Sequence, residues 1–364
     1  MAMQQKSINV CLSAITLIFS GIVNADTLYV NKTDRNAFHN IQDAVDAAQP
    51  GDTILIEGGT YKPFTVETDD LTIMEASKDA NPIVNALGQN FGVVINASRV
   101  TIQGLDARNA RGQNDQEGEV GDGFSINGGE NNRLIGNTAS NNDSGGFAVI
   151  AGEGHLLEHN HAYNNNIGIA TSLIDEDTQT PTTRNNTIRS NTAIGNTLDG
   201  FADYYGVDNR FEGNTASFNG RMGFYVNFSE GTKLINNRAW ENVTDGINLL
   251  WVKDQELSDN EFVNNGRHGI AIREVLDSEF EGNIASGNGE SGFDADDFSA
   301  LGGPGASVGN VFEENQANNN VHYGFYFSET SLDNEFEENT CDGNLLGGSN
   351  LPGICEEDEE EDDD

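Results

Sequence analysis

Basic residues, proline and cysteine are scarce in this chain, and each scarcity removes a class of protein. Only 18 Lys and Arg stand against 59 Asp and Glu, a net charge of −41. That balance argues against nucleic acid or an anionic membrane held through a basic face. Six prolines among 42 glycines, without a G-X-Y period, exclude collagen. No apolar run beyond the N-terminus could span a bilayer, so no membrane span is expected. The three cysteines are too few for a disulfide-built scaffold. Full disorder is disfavoured by 19 Phe.

Residues 1–25 read as a secretory signal peptide. Lys6 supplies the positive start, Val10 to Val23 is largely apolar, and Val23-Asn24-Ala25 is a small-residue cleavage site. An exported chain, periplasmic or extracellular, follows. Its cleavage removes Cys11 and leaves Cys341 and Cys355. An even pair in an exported chain predicts one disulfide closing the last loop, with two free thiols as the alternative. Residues 356–364 are all Asp or Glu and read as a disordered acidic tail. The domain expected between these ends is 26–355.

A repeat fills that domain. A Gly followed by Phe or Ile stands at 123, 146, 168, 200, 223, 246, 269, 292 and 324. Asn follows each at 137, 160, 191, 214, 237, 260, 283, 315 and 339, and again five residues later. Such a period marks a solenoid. Short alternations such as Phe224-Tyr225-Val226 read as strands. About 23 residues per turn with Asn-rich corners predicts an all-β fold: a single-stranded right-handed parallel β-helix whose Asn rows are structural ladders. Ala stands two residues after the first Asn in most repeats and is expected at a tight corner. Asn40 to Ala48 reads as a short amphipathic helix capping the first coil, with Ile41, Ala44, Val45 and Ala48 on one face. A monomer is expected.

Two repeats are longer, each by nine residues after the same strand, giving loops near 173–186 and 298–310. Insertions of this kind mark a binding face. If the residue after each Gly points inward, those two and four after it point outward. Between the loops these include Tyr204, Tyr225, Asn227, Asn248, Leu250 and Arg273, then Asp294 and Asp296. One step on come Tyr205, Phe228, Trp251, Glu274 and Asp297. Tyr205, Tyr225, Asn227, Asn248 and Trp251 are therefore expected to bind a polysaccharide, whose sugar rings suit aromatic side chains. Asp203 would point inward and need partners. Arg273 is expected beside Asp296, and Glu274 beside Asp297, in the next coil. His155, His159 and His161 crowd one corner and are expected at the surface.

The stretch Ile41-Gln42-Asp43-Ala44-Val45 through Pro50-Gly51-Asp52-Thr53-Ile54, then Gly59-Thr60-Tyr61, resembles the N-terminal cap of secreted proteins of the pectate-lyase-like superfamily. That group includes alginate lyases. The repeats also resemble those of NosD-like periplasmic proteins. The resemblance implies a β-helix that binds, and in its lyase or epimerase relatives processes, a uronic-acid polymer. An adhesin, matrix or NosD-like accessory protein without catalysis is the alternative, and the sequence leaves open which. For the enzyme reading, Asp294, Asp296 and Asp297 offer hard oxygen ligands to Ca²⁺, which would neutralise a uronate carboxylate. Arg273, Lys253 or Tyr204 would then handle the proton alpha to it.

Overall fold

The computed structural model describes residues 25–112, 121–172, 174–175 and 180–355. Residues 1–24 of the expected signal peptide and the acidic tail 356–364 lie outside the described residues, as do parts of the first insertion. Among the described residues no helix is long and apolar enough to cross a membrane.

Parallel sheets of 13 and 12 strands run along the described coils, and a third of nine strands extends from Gly59–Tyr61 to Glu261–Val263 and continues as isolated bridges. Register is maintained from coil to coil, so Phe201, Phe224, Ile247, Ile270 and Phe293 stack as one column. These side chains fill the interior. Phe201 and Phe224 stack at 4.8 Å and Phe293 and Phe325 at 4.4 Å, with edge contacts such as Phe201 to Phe211 joining the sheets. The helix forms over Ile41–Ala47 and buries Ile41, Ala44 and Val45 over the first coil, where an open sheet edge would otherwise face water.

The two Asn rows are ladders. The Asn214 side-chain amide donates to Asn237 Oδ1 at 3.0 Å and to the Ile188 carbonyl at 2.7 Å, and Asn237 repeats the pattern with Asn260 and Phe211. Each buried amide thus satisfies itself and a main-chain group of the next coil, which a stacked corner requires. A third ladder escaped the sequence reading. It runs through Asn132, Asn186, Asn209, Asn310 and Asn334, with other polar residues between them. His155 occupies one of its positions, which corrects its expected exposure. It is buried, accepts from the Asn132 amide at 3.1 Å, and burial pushes its pKa down to about 4, so it is neutral. His159 and His161 are exposed as expected.

The repeat Ala is not at a corner. It is the buried centre of a three-residue strand, and it faces the repeat glycine across the interior. A Cβ on Gly146 would lie 2.7 Å from the Gly168 carbonyl and 3.1 Å from Ala162 Cβ. Glycine is therefore required on this side, while the facing position takes Ala in most coils and Phe262 in one. Cys341 takes the alanine position in the last coil and is disulfide-bonded to Cys355, with 6.0 Å between the Cα atoms.

Candidate functional site

Both insertions follow strands of the 12-stranded sheet, Ile167–Ser172 and Phe293–Ala295. In the first, Ile174–Asp175 pairs antiparallel with Thr180–Pro181. The second contains a short 3-10 turn, Ser299–Leu301, and folds back over the preceding coil. There the Phe298 ring covers the Arg273 guanidinium at 5.4 Å, and the Gly305 amide donates to Glu274 at 2.7 Å. The insertion thus forms one wall of the sheet face.

Arg273 does not meet Asp296 as expected. The strand Phe293–Ala295 pairs Asp294 with Ala271 and then ends, so Asp296 leaves with the insertion. Arg273 instead contacts Asp294 Oδ1 at 2.6 Å and donates to the Asp294 and Ile272 carbonyls at 2.6 and 2.9 Å. Both side chains of the pair are 7% exposed. Burial raises the Asp294 pKa, and Arg273 partly offsets this. A guanidinium so enclosed is an anchor for the wall. Glu274 likewise binds Trp251 Nε1 at 3.1 Å and not Asp297.

The three carboxylates assigned to Ca²⁺ are dispersed. Asp294 is held by Arg273, Asp297 accepts from the Ser299 amide and Thr330 hydroxyl, and Asp296 accepts from Tyr326. Among the described residues no group of three His, Cys, Asp or Glu could hold a metal ion. The residues do not fit the cation.

Nor do Arg273, Lys253 and Tyr204 converge. Tyr204 lies in the same outward column as Arg273 but three rungs away, through Asn227 and Leu250. Burial and the Asp199 charge push its pKa up to about 12. Lys253 pairs with Glu230 at 2.7 Å in a separate depression beside Phe228 and Trp251. Asn227 and Asn248 sit half-buried on the floor as expected, and the Tyr225 ring meets Tyr204 edge-on at 5.4 Å. Asp203 does point inward, accepting from Thr171, Thr232 and Asn209.

The strand-end aromatics form a stack with a different use from the one expected. Tyr205, Phe228 and Trp251 lie face to face at 4.9 and 4.8 Å, all with φ near +54°. Non-glycine residues in this left-handed region carry strain, which the stacking offsets. The inner ring faces are covered by one another, so the stack offers sugars chiefly its edges.

The cleft under the wall joins Arg273, Asp294 and Asp296 to residues the sequence does not single out. A cavity of about 420 Å³ is lined by Arg267, His268, Arg273, Asp296, His322 and Tyr326 among others. His268 is buried, with Nε2 3.1 Å from Glu290 and Nδ1 3.5 Å from Asp294. Burial and the neighbouring Arg273 and Arg267 hold its pKa down to about 3 despite Asp245. Burial and Asp296 raise the Tyr326 pKa, so the phenol keeps its proton. Arg267 stands 3.5 Å from buried Asp245 and is about two-fifths exposed at the cleft. His322 is exposed at the mouth. An exposed cation, a mouth histidine and a protonated phenol backed by a carboxylate can together bind an anion and move a proton beside it.

Fold and cleft define a parallel β-helix protein with a walled, mixed-charge groove on the face of its 12-stranded sheet. The family described as right-handed beta helix region matches residues 54–251, more than half of the chain, and the chain belongs to that family. The family described as periplasmic copper-binding protein (NosD) matches residues 174–348. Among solved structures, the A-module of mannuronan C-5 epimerase AlgE6 from Azotobacter vinelandii is similar with a TM-score of 0.68 and 15% identity, over 85% of this chain and 90% of that one. The periplasmic alginate epimerase AlgG gives 0.56 at 15% identity over 85% and 82%. The alginate lyase of Paenibacillus sp. str. FPU-7 gives 0.56 at 15% over 72% and 94%. These likenesses are of fold. No curated protein sequence matches the chain.

Proposed function

We propose that the protein is an exported, monomeric β-helix enzyme that processes a uronic-acid polysaccharide in the walled cleft, by β-elimination or C5 epimerisation. The observation that carries this reading is the convergence of Arg267, His322 and the Tyr326–Asp296 pair around one cavity of about 420 Å³. The resemblance to alginate epimerases and an alginate lyase supports it. Arg267 neutralises the substrate carboxylate, which acidifies the proton alpha to it. His322 takes that proton. In elimination the electron pair forms the C4–C5 double bond, the C4–O bond breaks, and Tyr326 protonates the leaving oxygen. In epimerisation C5 is reprotonated from the opposite face and no glycosidic bond breaks. Asp296 orients the phenol and Arg273 fixes the wall, and no step runs through Ca²⁺.

The test is the full mature chain on alginate, pectate and other uronate polymers, followed by ultraviolet absorbance of unsaturated product and by proton exchange at C5 in NMR. New absorbance establishes elimination, and exchange without cleavage establishes epimerisation. Silence on both overturns the reading. Tyr326→Phe should lower turnover while leaving binding of the polymer intact. The NosD match over residues 174–348 favours a second reading, a periplasmic copper-binding accessory without catalysis. Copper titration of the chain and of His322→Ala separates the two.

A further inference from the structure

One main-chain ladder on the cleft side of the 12-stranded sheet carries Leu198, Arg221, Thr244, Arg267, Glu290 and His322 on successive rungs, each amide donating to the carbonyl one coil back at 2.8–2.9 Å. Basic side chains stand on every second rung. The neighbouring column carries fully buried Asp199 and Asp245; Asp199 grips Arg221 of the following coil, and Asp245 stands 3.5 Å from Arg267 without a hydrogen bond. Asp199 binds Arg221 through two atoms, with Nε to Oδ1 at 2.8 Å, and the guanidinium lies over the Tyr225 ring at 4.9 Å. Arg221 and Arg267 are nevertheless 34% and 43% exposed. The unit of buried Asp and outward Arg therefore recurs once per two coils, and His322 holds the place of the third arginine.

The spacing has chemical meaning. Neighbouring strands lie ~4.8 Å apart, so the basic groups recur every ~9.6 Å along the helix axis. An extended 1,4-linked pyranose chain with near-twofold symmetry turns the same side outward once per two sugars. Its disaccharide length is close to that two-coil step. Arginines on adjacent rungs would repel one another, whereas Thr244 separates Arg221 from Arg267 and Glu290 separates Arg267 from His322. Because buried Asp199 already fixes the Arg221 guanidinium plane, little rotamer freedom is lost there when a ligand binds.

We infer that this column is a charge ruler: it holds an anionic glycan along the helix axis, with Arg221 and Arg267 taking acidic groups that recur on every second sugar. The inference rests on the proposed polysaccharide reading, and extends the site two coils beyond the cleft. A homopolymeric uronate and a copolymer with one acid per disaccharide share this chemistry.

The experiment is calorimetric binding of size-defined oligouronates of two to six sugars to the full mature chain, with alternating acid–neutral oligosaccharides as a parallel series. Affinity should rise stepwise, by about tenfold (about 1.4 kcal/mol) on passing from two to four sugars. Binding of the alternating series with the same step identifies one acid per disaccharide as sufficient, and its failure to bind overturns the ruler. The paired variant Asp199→Asn/Arg221→Gln removes both charges together, so no charge stays buried alone. It should lose the four-sugar step and bind two sugars like the wild type. Arg221→Lys, a second variant that keeps the cation and loses the fork, should lose most of the same step. A gain with every single sugar, or equal losses at all lengths, overturns the ruler. Turnover without a length step overturns the ruler alone, and a length step without turnover overturns the catalytic reading alone.

Discussion

Replacing Arg273 separates an anchoring role from a catalytic one. Its guanidinium meets Asp294 at 2.6 Å with both side chains 7% exposed, and it donates to two carbonyls. Removing one member of such a buried pair leaves the other charge uncompensated and costs about 3–5 kcal/mol. Arg273→Gln and Asp294→Asn should each approach that cost. The double variant should cost less than the sum of the two singles, because the stranded charge is gone, by a coupling of up to about 3 kcal/mol. A solenoid can open locally, so the loss should appear first at the wall. Urea unfolding of all four proteins gives the cycle, and hydrogen exchange of residues 298–305 reports the wall, since Phe298 lies on the guanidinium. The reasoning is refuted if Arg273→Gln keeps the wild-type midpoint and wall protection yet abolishes turnover.

Three other expectations follow from geometry. Gly246→Ala would put a Cβ 2.6 Å from the Gly269 carbonyl and 2.7 Å from Phe262 Cβ, so it should destabilise by about 1–3 kcal/mol in urea, and an unchanged midpoint would contradict the steric account. Asp122 is buried and burial raises its pKa to about 6; the native state then binds this proton more tightly than the unfolded chain, so its contribution is present near pH 4 and lost as pH rises through 6. Asp122→Asn should therefore recover at most about 3 kcal/mol at pH 7 and flatten the unfolding profile between pH 4 and 7, and an unaltered profile would count against it. Cys341 and Cys355 close a loop with a sequence separation of 14, so Cys355→Ser should cost about 3 kcal/mol in the last coil, read as faster hydrogen exchange over residues 341–355; unchanged exchange would refute the constraint.

The period was legible because identical residues occupy identical positions: the repeat glycine and two Asn rows are required in every coil by sterics and by buried amides. The third ladder was not legible, since Asn132, His155 and Asn209 perform one job with different side chains and leave no period to count. Arg273 was placed on the right face but given the wrong partner. Extrapolating strand register past Ala295 paired it with Asp296, whereas the chain leaves the sheet there and Asp294 closes the contact. The aromatic column is a row as expected, and stacking along the axis covers both faces of Phe228 and one face each of Tyr205 and Trp251. Arg267, His268 and His322 were missed because the repeat was read forward from its glycine, and these residues precede it. Their signal was present as Asp199–Arg221 and Asp245–Arg267, the same pair recurring 46 residues on.

That position explains why chemistry gathers there. Asn219 and Gly223, Asn265 and Gly269, and Asn320 and Gly324 are each four residues apart. Each Asn is locked into its ladder, and each Gly is pinned against the carbonyl of the next coil. Gly266, next to the ladder Asn, has no space for a Cβ either, which would lie 2.1 Å from the Val243 carbonyl. Of the three positions between these fixed points the first is Gly or Val, and the last two open onto the sheet face. A side chain there is held by rigid neighbours on both sides at a spacing set by the coil rise. Such a scaffold places groups precisely without specifying which groups they are. Arg221 and His268 are tied to buried partners, whereas the exposed Arg267 and His322 side chains are free to vary, and that freedom is what allows this face to be matched to a ligand.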